Sequence, residues 1–130
     1  MNFQEPDNEL DELAKRVIGA AIEVHRLLGP GYLESVYKEA LCLELSMRRI
    51  PYNRQHPVGV LYKGHRVGEG FLDIFVDQCL IVELKAVEAL MPVHMAQVLS
   101  YLKATQCKLG LLINFNVPML KHGIRRVILS

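Results

Sequence analysis

The spacing of apolar residues changes at Pro51, and this change limits the folds that the chain can adopt. Before Pro51, apolar residues recur every three or four positions, which is the spacing of amphipathic helices. This spacing predicts one helix that begins near Asn8 and ends at Gly29, and a second helix over residues 32–49. Between Pro51 and Pro92 the apolar residues follow the spacing of strands, so the chain combines helices with a sheet. The predicted inward-facing residues of the second helix are Leu33, Val36, Ala40, Leu41 and Leu45.

Five strands and a third helix are predicted after Pro51. The strands are residues 58–62, 65–76, 79–85, 109–115 and 124–129. Pro92 suits the first turn of a helix, which is predicted to run to Thr105. The segment 109–115 is apolar almost throughout, which fits a strand covered on both faces, and the last strand is predicted at a sheet edge. The predicted class is α/β (α+β), a small mixed sheet flanked by helices in the order α-α-β-β-β-α-β, with a further edge β.

The length and composition fit a single globular domain. The chain has 130 residues and 51% of them are hydrophobic, so residues 1–130 are predicted as one domain in which residues 1–8 are flexible. The formal net charge of +1 argues against a protein that holds nucleic acid by bulk charge alone. No apolar run is long enough to span a membrane and the N-terminal segment is acidic, so neither a membrane partner nor a signal peptide is predicted.

The cysteines and histidines do not form a metal-binding pattern. The three cysteines are widely spaced and lack a CxxC motif, which argues against a disulfide framework and against a zinc or iron–sulfur site. The five histidines show no ligand spacing with one another or with the cysteines. A reducing cytoplasm is therefore the predicted location.

Charged residues stand inside two otherwise apolar predicted strands. Glu83 and Lys85 lie two positions apart in the segment LIVELK, so alternation places them on one face of the strand. They could form a structural ion pair or mark a strand end that reaches solvent, and the E-x-K pattern alone favours these interpretations. Asp73 is a lone charge in the preceding strand segment FLDIFV.

The carboxylates of these two strands meet in only one class of hairpin register. If the strands pair, Asp73 and Glu83 come within reach of a shared cation, and a hard divalent ion would offset the cost of burying both charges. This arrangement requires an odd-length turn centred near Gln78, or a bulge. A two-residue turn that pairs Val76 with Cys79 would place the carboxylates on opposite faces.

Another acidic residue lies on the second predicted helix. Gly31, Glu34 and Tyr37 are spaced along one helical stripe, where the glycine would permit a close approach of another backbone. Glu34 could then be a third acidic ligand. The spacing alone favours an ordinary surface ion pair between Glu34 and Lys38.

A polar stripe follows Pro92 on the third predicted helix. It consists of His94, Gln97 and Tyr101, which share one face. Gln97 and Tyr101 could orient a ligand or a water at the sheet edge. The solvated face of an amphipathic helix is the more frequent origin of such a stripe.

These segments, taken in order, resemble a known group of enzymes. Asp73, followed by Glu83-x-Lys85 on the next strand, resembles the D…(D/E)xK signature of the PD-(D/E)XK nuclease superfamily. Leu72 stands where the name of the superfamily has proline. The segment GYLESVY, residues 31–37, resembles the signature of the bacterial GxxExxY family. The resemblance extends over nearly the whole chain.

The resemblance implies a restriction-endonuclease-like core and a metal-dependent phosphodiesterase site. The implied ligands of Mg²⁺ or Mn²⁺ are Asp73, Glu83, the backbone carbonyl of Leu84, and Glu34. Lys85 would hold and polarise the attacking water or stabilise charge that develops on the phosphate. Gln97 and Tyr101 resemble the QhxxY pattern of RecB-like nucleases and, with Glu34, complete the implied catalytic set.

Two functions remain open for such a domain. The first is a small Mg²⁺-dependent nuclease that cuts nucleic acid, with DNA favoured over RNA. The second is a catalytically silent nuclease-fold module for binding or assembly, which the near-neutral charge and the small size favour. A homodimer would enlarge the surface that grips nucleic acid, and the predicted edge strand, residues 124–129, is the candidate interface. A basic cluster that could contact phosphates consists of Lys121, His122, Arg125 and Arg126.

Overall fold

The computed structural model describes residues 8–130, which form three α-helices and a five-stranded sheet. The helices are α1 (Asn8–Leu28), α2 (Glu34–Met47) and α3 (Pro92–Thr105). The strands are β1 (Tyr52–Tyr62), β2 (His65–Val76), β3 (Leu80–Lys85), β4 (Leu109–Asn114) and β5 (Ile124–Ile128), and a 3₁₀ helix (Leu120–Gly123) precedes β5. The segment predicted to be flexible, residues 1–8, lies outside the described residues except for Asn8, which begins α1. None of these helices is both long and apolar enough to cross a membrane.

The sheet is mixed, and its strands lie in chain order from β1 at one edge to β5 at the other. Neighbouring strands are antiparallel except β3 and β4, which run parallel because α3 carries the chain back between them. All six residues of β4 are buried, as expected for a strand with helices on both faces of the sheet. The predicted class, the mixed sheet and the edge position of the last strand are confirmed.

Two hydrophobic layers enclose the sheet. α1 and α2 pack on one face, where β3 contributes Leu80, Val82 and Leu84 to a common core. α3 packs on the other face, where Val98 shares a second core with Ile81. The side chains of β3 therefore alternate as its sequence predicts, and its odd-numbered residues belong to the side of α3.

Helix α2 differs from the prediction at its start and in its buried face. It begins at Glu34, so Gly31 lies in the preceding loop and not on the helical stripe of Glu34. Gly31 has a φ of 109°, and a Cβ at this position would meet nothing within 4 Å, so the glycine serves the backbone conformation and not a close approach. Leu33 is 75% exposed and Val36 is exposed, which contradicts the predicted inward orientation of both. The buried residues of α2 are Tyr37, Leu41, Cys42 and Leu45.

Strand β1 begins earlier than predicted because backbone pairing, and not side-chain burial, determines its start. It pairs with β2 from Tyr52 onward, although residues 53–55 are exposed. β3 covers only residues 74–76 of β2, so most of the β1–β2 hairpin continues past the end of this pairing as a two-stranded ribbon. The point at which β3 leaves β2 is where the predicted site residues lie.

Candidate active site

β2 and β3 separate at Asp73 and Glu83, and this point is called the fork below. The last pair of the β2–β3 ladder is Ile74 with Val82, and Asp73 and Glu83 come next in the same register. The turn that joins the strands contains three residues, 77–79. This is an odd-length connection, which is the parity that the approach of the two carboxylates requires, and the alternative two-residue turn is not formed.

Each carboxylate of the fork binds the backbone of the other strand. The N–H of Asp73 donates to Glu83 Oε2 at 2.6 Å, and the N–H of Leu84 donates to Asp73 Oδ2 at 2.9 Å. Side-chain oxygens thus satisfy backbone donors at the place where the ladder ends. The Leu84 side chain belongs to the core beneath α1 and α2, so it is the backbone of this residue that faces the fork.

Glu83 is buried beside a second acid. Only 3% of the residue is exposed. Burial raises the pKa of Glu83 to about 8, and the negative charge of Asp73 contributes to the increase. The charges of Lys85 and Lys38 act in the opposite direction on the pKa of Glu83 but do not offset the burial. The carboxyl group of Glu83 is therefore largely protonated at pH 7.

Helix α2 brings to the fork a lysine that the sequence pattern assigns elsewhere. Local spacing favours a pair between Lys38 and Glu34, but Lys38 Nζ lies 3.0 Å from Asp73 Oδ1, and the surface pair is not formed. The packing of α2 against the sheet determines this partner, and helical spacing carries no information about it. Lys38 is thus a site residue that sequence reasoning missed.

Tyr37, in the GxxExxY-like segment, has a structural role. Its buried hydroxyl donates to the carbonyl of Gly29 at 2.6 Å and accepts from the N–H of Tyr32 at 3.1 Å. Its ring stacks on Phe115 with 4.7 Å between the ring centroids. These contacts tie the loop before α2 to the core and fix where the helix begins.

Glu34 has no comparable contact. It is half-buried and forms no hydrogen bond or ion pair in the part of the chain that the structure describes. Helical spacing puts it on the stripe of Lys38, one turn nearer the start of α2. Within residues 8–130, no three His, Cys, Asp or Glu side chains form a group that could hold a metal ion. The structure therefore does not bring Glu34 together with Asp73 and Glu83 as a triad.

Lys85 ends β3 on the same face of the strand as Glu83. It is half-buried, and its carbonyl accepts the N–H of Phe115 at 3.0 Å. The side chain of the buried Asn114 binds both the N–H and the carbonyl of Val87, at 3.1 and 2.9 Å, and so holds the chain that follows Lys85. Sequence reasoning missed Asn114. Its position as a polar residue at the end of an otherwise apolar strand could have identified it.

Helix α3 places Tyr101 beside β2 and close to the acidic pair. A Cβ at Gly70 would lie 2.8 Å from Tyr101 Cε1, so the ring rests directly on the glycine. The backbone of Phe71 and the side chain of Gln97 lie near the hydroxyl. Burial raises the pKa of Tyr101, and the nearby negative charge of Glu83 raises it further.

His94, the remaining residue of the predicted polar stripe, has a capping role. Its Nδ1 accepts the N–H of Met91 at 2.9 Å, which satisfies a backbone donor at the start of α3. Pro92 occupies the first turn of the helix, as predicted. The stripe is therefore divided between His94, which caps the helix, Gln97, which is exposed, and Tyr101, which lies against β2 at Gly70.

Two other surface features lie apart from the fork. In the basic cluster, Arg126 forms an ion pair with Asp11 at 2.7 Å, and Arg125 donates to the carbonyls of His122 and Ile124. These two arginines are therefore engaged within the chain. An open groove of about 790 Å³ lies between the start of α1 and the chain near residues 77–79 and 105–108, and no predicted site residue lines it.

Comparison with known proteins gives one match. A family model described as the PD-(D/E)XK nuclease superfamily matches residues 11–127. The match runs from α1 to β5 and includes the fork, Lys38 and the polar residues of α3. It does not distinguish the GxxExxY family within that superfamily. No curated protein and no solved structure matches the chain.

Proposed function

Because the chain belongs to the PD-(D/E)XK nuclease superfamily, we propose that it hydrolyses phosphodiester bonds of nucleic acid with the help of Mg²⁺ or Mn²⁺. The observation that carries the proposal is the pairing of Asp73 and Glu83 at the fork, where each carboxylate is held by the backbone of the other strand. Two neighbouring carboxylates, one of them buried, are costly unless a cation offsets their charge. Oxygen ligands of this kind suit hard divalent cations.

Four groups are proposed to hold the cation: Asp73, Glu83, the backbone carbonyl of Leu84, and Glu34. The donor set fits such an ion, because the side chains of Asp73 and Glu83 supply carboxylate oxygens and burial beside Asp73 makes the charge of Glu83 costly without a cation. Glu34 stands apart from Asp73 and Glu83 in the structure, and it is included because it lies one helical turn from Lys38, which reaches the fork from the same helix. When bound, the cation would act as a Lewis acid towards the phosphate.

The remaining site residues are proposed to act on water and on substrate. Lys85 lies next to the fork on the face of Glu83, so its ammonium could hold and polarise the attacking water or stabilise charge on the phosphate. Gln97 and Tyr101 are proposed to orient the substrate from α3. The packing of Tyr101 on Gly70 supports a fixed position for its ring, and the Gln97 side chain lies near its hydroxyl.

We further propose DNA, in preference to RNA, as the substrate, and a homodimer as the form that binds it. The net charge of +1 supports a dimer, because one copy has little excess positive charge with which to grip a duplex. Cys42 and Cys107 carry free thiols, which supports a reducing compartment such as the cytoplasm.

Cleavage assays test this proposal. Single-stranded DNA, duplex DNA and RNA of the same sequence are incubated with the protein and Mg²⁺ or Mn²⁺. Cleavage that is lost in Asp73→Ala and Lys85→Ala, and retained in the exposed control Lys103→Ala, supports the proposal. Equal activity in all variants would show that the cleavage comes from another site or from a contaminant, and inactivity on every substrate would also count against a nuclease.

A specific surface feature favours a second candidate function, assembly without turnover. Helix α2 and the residue before it carry an exposed apolar stripe at helical spacing, which consists of Leu33, Val36, Leu43 and Met47. An exposed apolar stripe of this kind is typical of a protein interface. Sedimentation of the wild type and of Leu43→Glu tests it: a dimer that dissociates in the variant, together with inactivity in every cleavage assay, favours the assembly function.

A further inference from the structure

The ion pair between Lys38 and Asp73 differs from the other ion pairs of the described residues. Its two side chains are 15% and 16% exposed. In every other ion pair found within residues 8–130, at least one side chain is 39% exposed or more. Water therefore screens this pair least, and its attraction is the strongest of the set. It also joins α2 to β2, so it is a tertiary contact and not a neighbouring pair on one helix.

The oxygens of the fork are almost fully engaged without a metal. Asp73 Oδ1 forms an ion pair with the ammonium of Lys38, and Asp73 Oδ2 accepts a hydrogen bond from the N–H of Leu84. Glu83 Oε2 accepts a hydrogen bond from the N–H of Asp73. The backbone donors can stay in place when a cation binds, because a carboxylate oxygen has more than one lone pair. An ammonium at 3.0 Å is different, since a divalent cation beside the same oxygen would repel it.

We propose that Lys38 is a built-in counter-ion of the acidic pair, which a divalent cation must displace from Asp73 Oδ1 in order to bind. The inference rests on the proposed function, because it assumes that Asp73 and Glu83 are metal ligands. It assigns Lys38 two states. The ammonium neutralises the acidic pair while the site is empty, and it is released beside the site when the cation arrives.

The backbone around Lys38 supports a movement confined to the side chain. Tyr37, the preceding residue, is tied to Gly29 and Tyr32 and stacked on Phe115, so α2 is fixed at this point. A displaced ammonium on a four-carbon stem would stay close to the fork. The phosphodiester is the anion that reaches the fork during the proposed reaction, so it is the natural new partner for the released charge. Lys38 is thus a positioning residue for metal and substrate in turn.

Calorimetric titration with Mn²⁺ alone tests the inference, with Lys38→Met as the informative variant. Methionine keeps the length of the apolar stem and removes the charge. We expect Lys38→Met to bind Mn²⁺ more tightly than the wild type, on the order of tenfold or more, because no ammonium has to be displaced. If Lys38 had a purely structural role, Lys38→Met would bind Mn²⁺ more weakly than the wild type, because the substitution would disturb the site.

Two controls accompany this titration. Lys103→Met removes one positive charge from an exposed position on α3, and it should leave the Mn²⁺ affinity within about twofold of the wild type. Lys38→Arg keeps a cation at the site and should retain the weak binding of the wild type. Thermal melts of each variant identify any that is unfolded. If Lys38→Met is unfolded, Lys38→Gln, which also removes the charge, takes its place and should likewise bind Mn²⁺ more tightly than the wild type.

Each outcome has a defined meaning. Tighter binding in Lys38→Met, with Lys103→Met unchanged, supports the inference. Equal or weaker binding in Lys38→Met overturns it while the proposed nuclease stands, provided that the wild type binds Mn²⁺ and Glu83→Ala does not. Absence of Mn²⁺ binding in both the wild type and Lys38→Met overturns the inference and the proposed metal site together.

Discussion

The carboxylate of Glu83 accepts the backbone N–H of Asp73, the residue that carries the other carboxylate of the fork, at 2.6 Å. The backbone therefore holds two acids together regardless of whether a metal is bound. Because burial and the neighbouring Asp73 both disfavour the charged form of Glu83, the metal-free protein bears a cost whenever Glu83 ionises. This cost has measurable consequences for stability and for metal binding.

The first prediction concerns the stability of the metal-free protein as a function of pH. The pKa of Glu83 rises from 4.5 to about 8 on folding, because of burial and then of Asp73. Between these pH values the unfolded chain has released the proton while the folded chain keeps it, so the free energy of unfolding falls as the pH rises. Glutamine does not ionise, so Glu83→Gln should not lose stability in this pH range. Its free energy of unfolding should exceed that of the wild type by ~1–3 kcal/mol at pH 7.5.

Urea denaturation in the presence of EDTA at pH 4.5, 6 and 7.5 measures this difference. The wild type and Glu83→Gln should converge at the lowest pH and separate towards the highest. Glu88→Gln, at an exposed position, is the control and should follow the wild type throughout. A constant difference between Glu83→Gln and the wild type at all three pH values contradicts the prediction.

The second prediction concerns protons released by metal binding. Because a pKa of about 8 leaves Glu83 largely protonated at pH 7, Mn²⁺ must displace its proton. The apparent affinity should therefore rise up to about tenfold per pH unit below pH 8 and then level off. Calorimetry at pH 7 in PIPES and in HEPES, which differ in ionisation enthalpy and bind Mn²⁺ only weakly, should report close to one proton released. Identical heats in the two buffers would mean that Glu83 binds the metal without losing a proton, or does not bind it.

The third prediction separates two residues of the GxxExxY-like segment. Glu34→Gln should reduce cleavage by roughly tenfold to a hundredfold, if Glu34 contributes to the metal site, and should leave stability unchanged. Tyr37→Phe should instead lower the free energy of unfolding by ~1–3 kcal/mol, because the carbonyl of Gly29 and the N–H of Tyr32 lose their buried partner. Cleavage rates and urea melts of both variants test the assignment, which fails if Glu34→Gln is the destabilised variant.

The fourth prediction uses the contact between Gly70 and Tyr101. A methyl group at Gly70 would lie 2.8 Å from the ring, so Gly70→Ala should displace Tyr101 and lower kcat by the same factor as Tyr101→Ala. Combining the two substitutions should give no further loss, because both act through one ring. Gly68→Ala is the matched control on the same strand, since a Cβ there meets nothing within 4 Å. Additive losses in the double variant would refute the shared cause.

The sequence predicts much of the fold, because hydrophobic periodicity and proline positions encode it locally. β2 and α3 have the predicted bounds, and β4 is buried as its apolar run indicates. The start of β1 was wrong because an exposed strand is held by backbone pairing, which leaves no apolar pattern. The start of α2 was wrong because the positive φ of Gly31 keeps the loop out of the helix.

The site is predictable only where its geometry follows from one strand or one hairpin. The common face of Glu83 and Lys85 follows from alternation, and the opposition of Asp73 and Glu83 follows from the length of their turn. The pairing of Lys38 with Asp73 depends on how α2 docks on the sheet, which spacing within the helix does not encode. The side-chain bonds of Asn114 to Val87 are likewise a tertiary feature.

The three-residue turn at 77–79 has a consequence for how this protein can vary. Solvent-facing bends usually tolerate a gained or lost amino acid, because nothing downstream depends on their length. Here the bend sets the parity of the hairpin, so one deletion would rotate Glu83 away from Asp73 while leaving both residues in the chain. A short bend with no chemistry of its own therefore determines whether the proposed metal site can form.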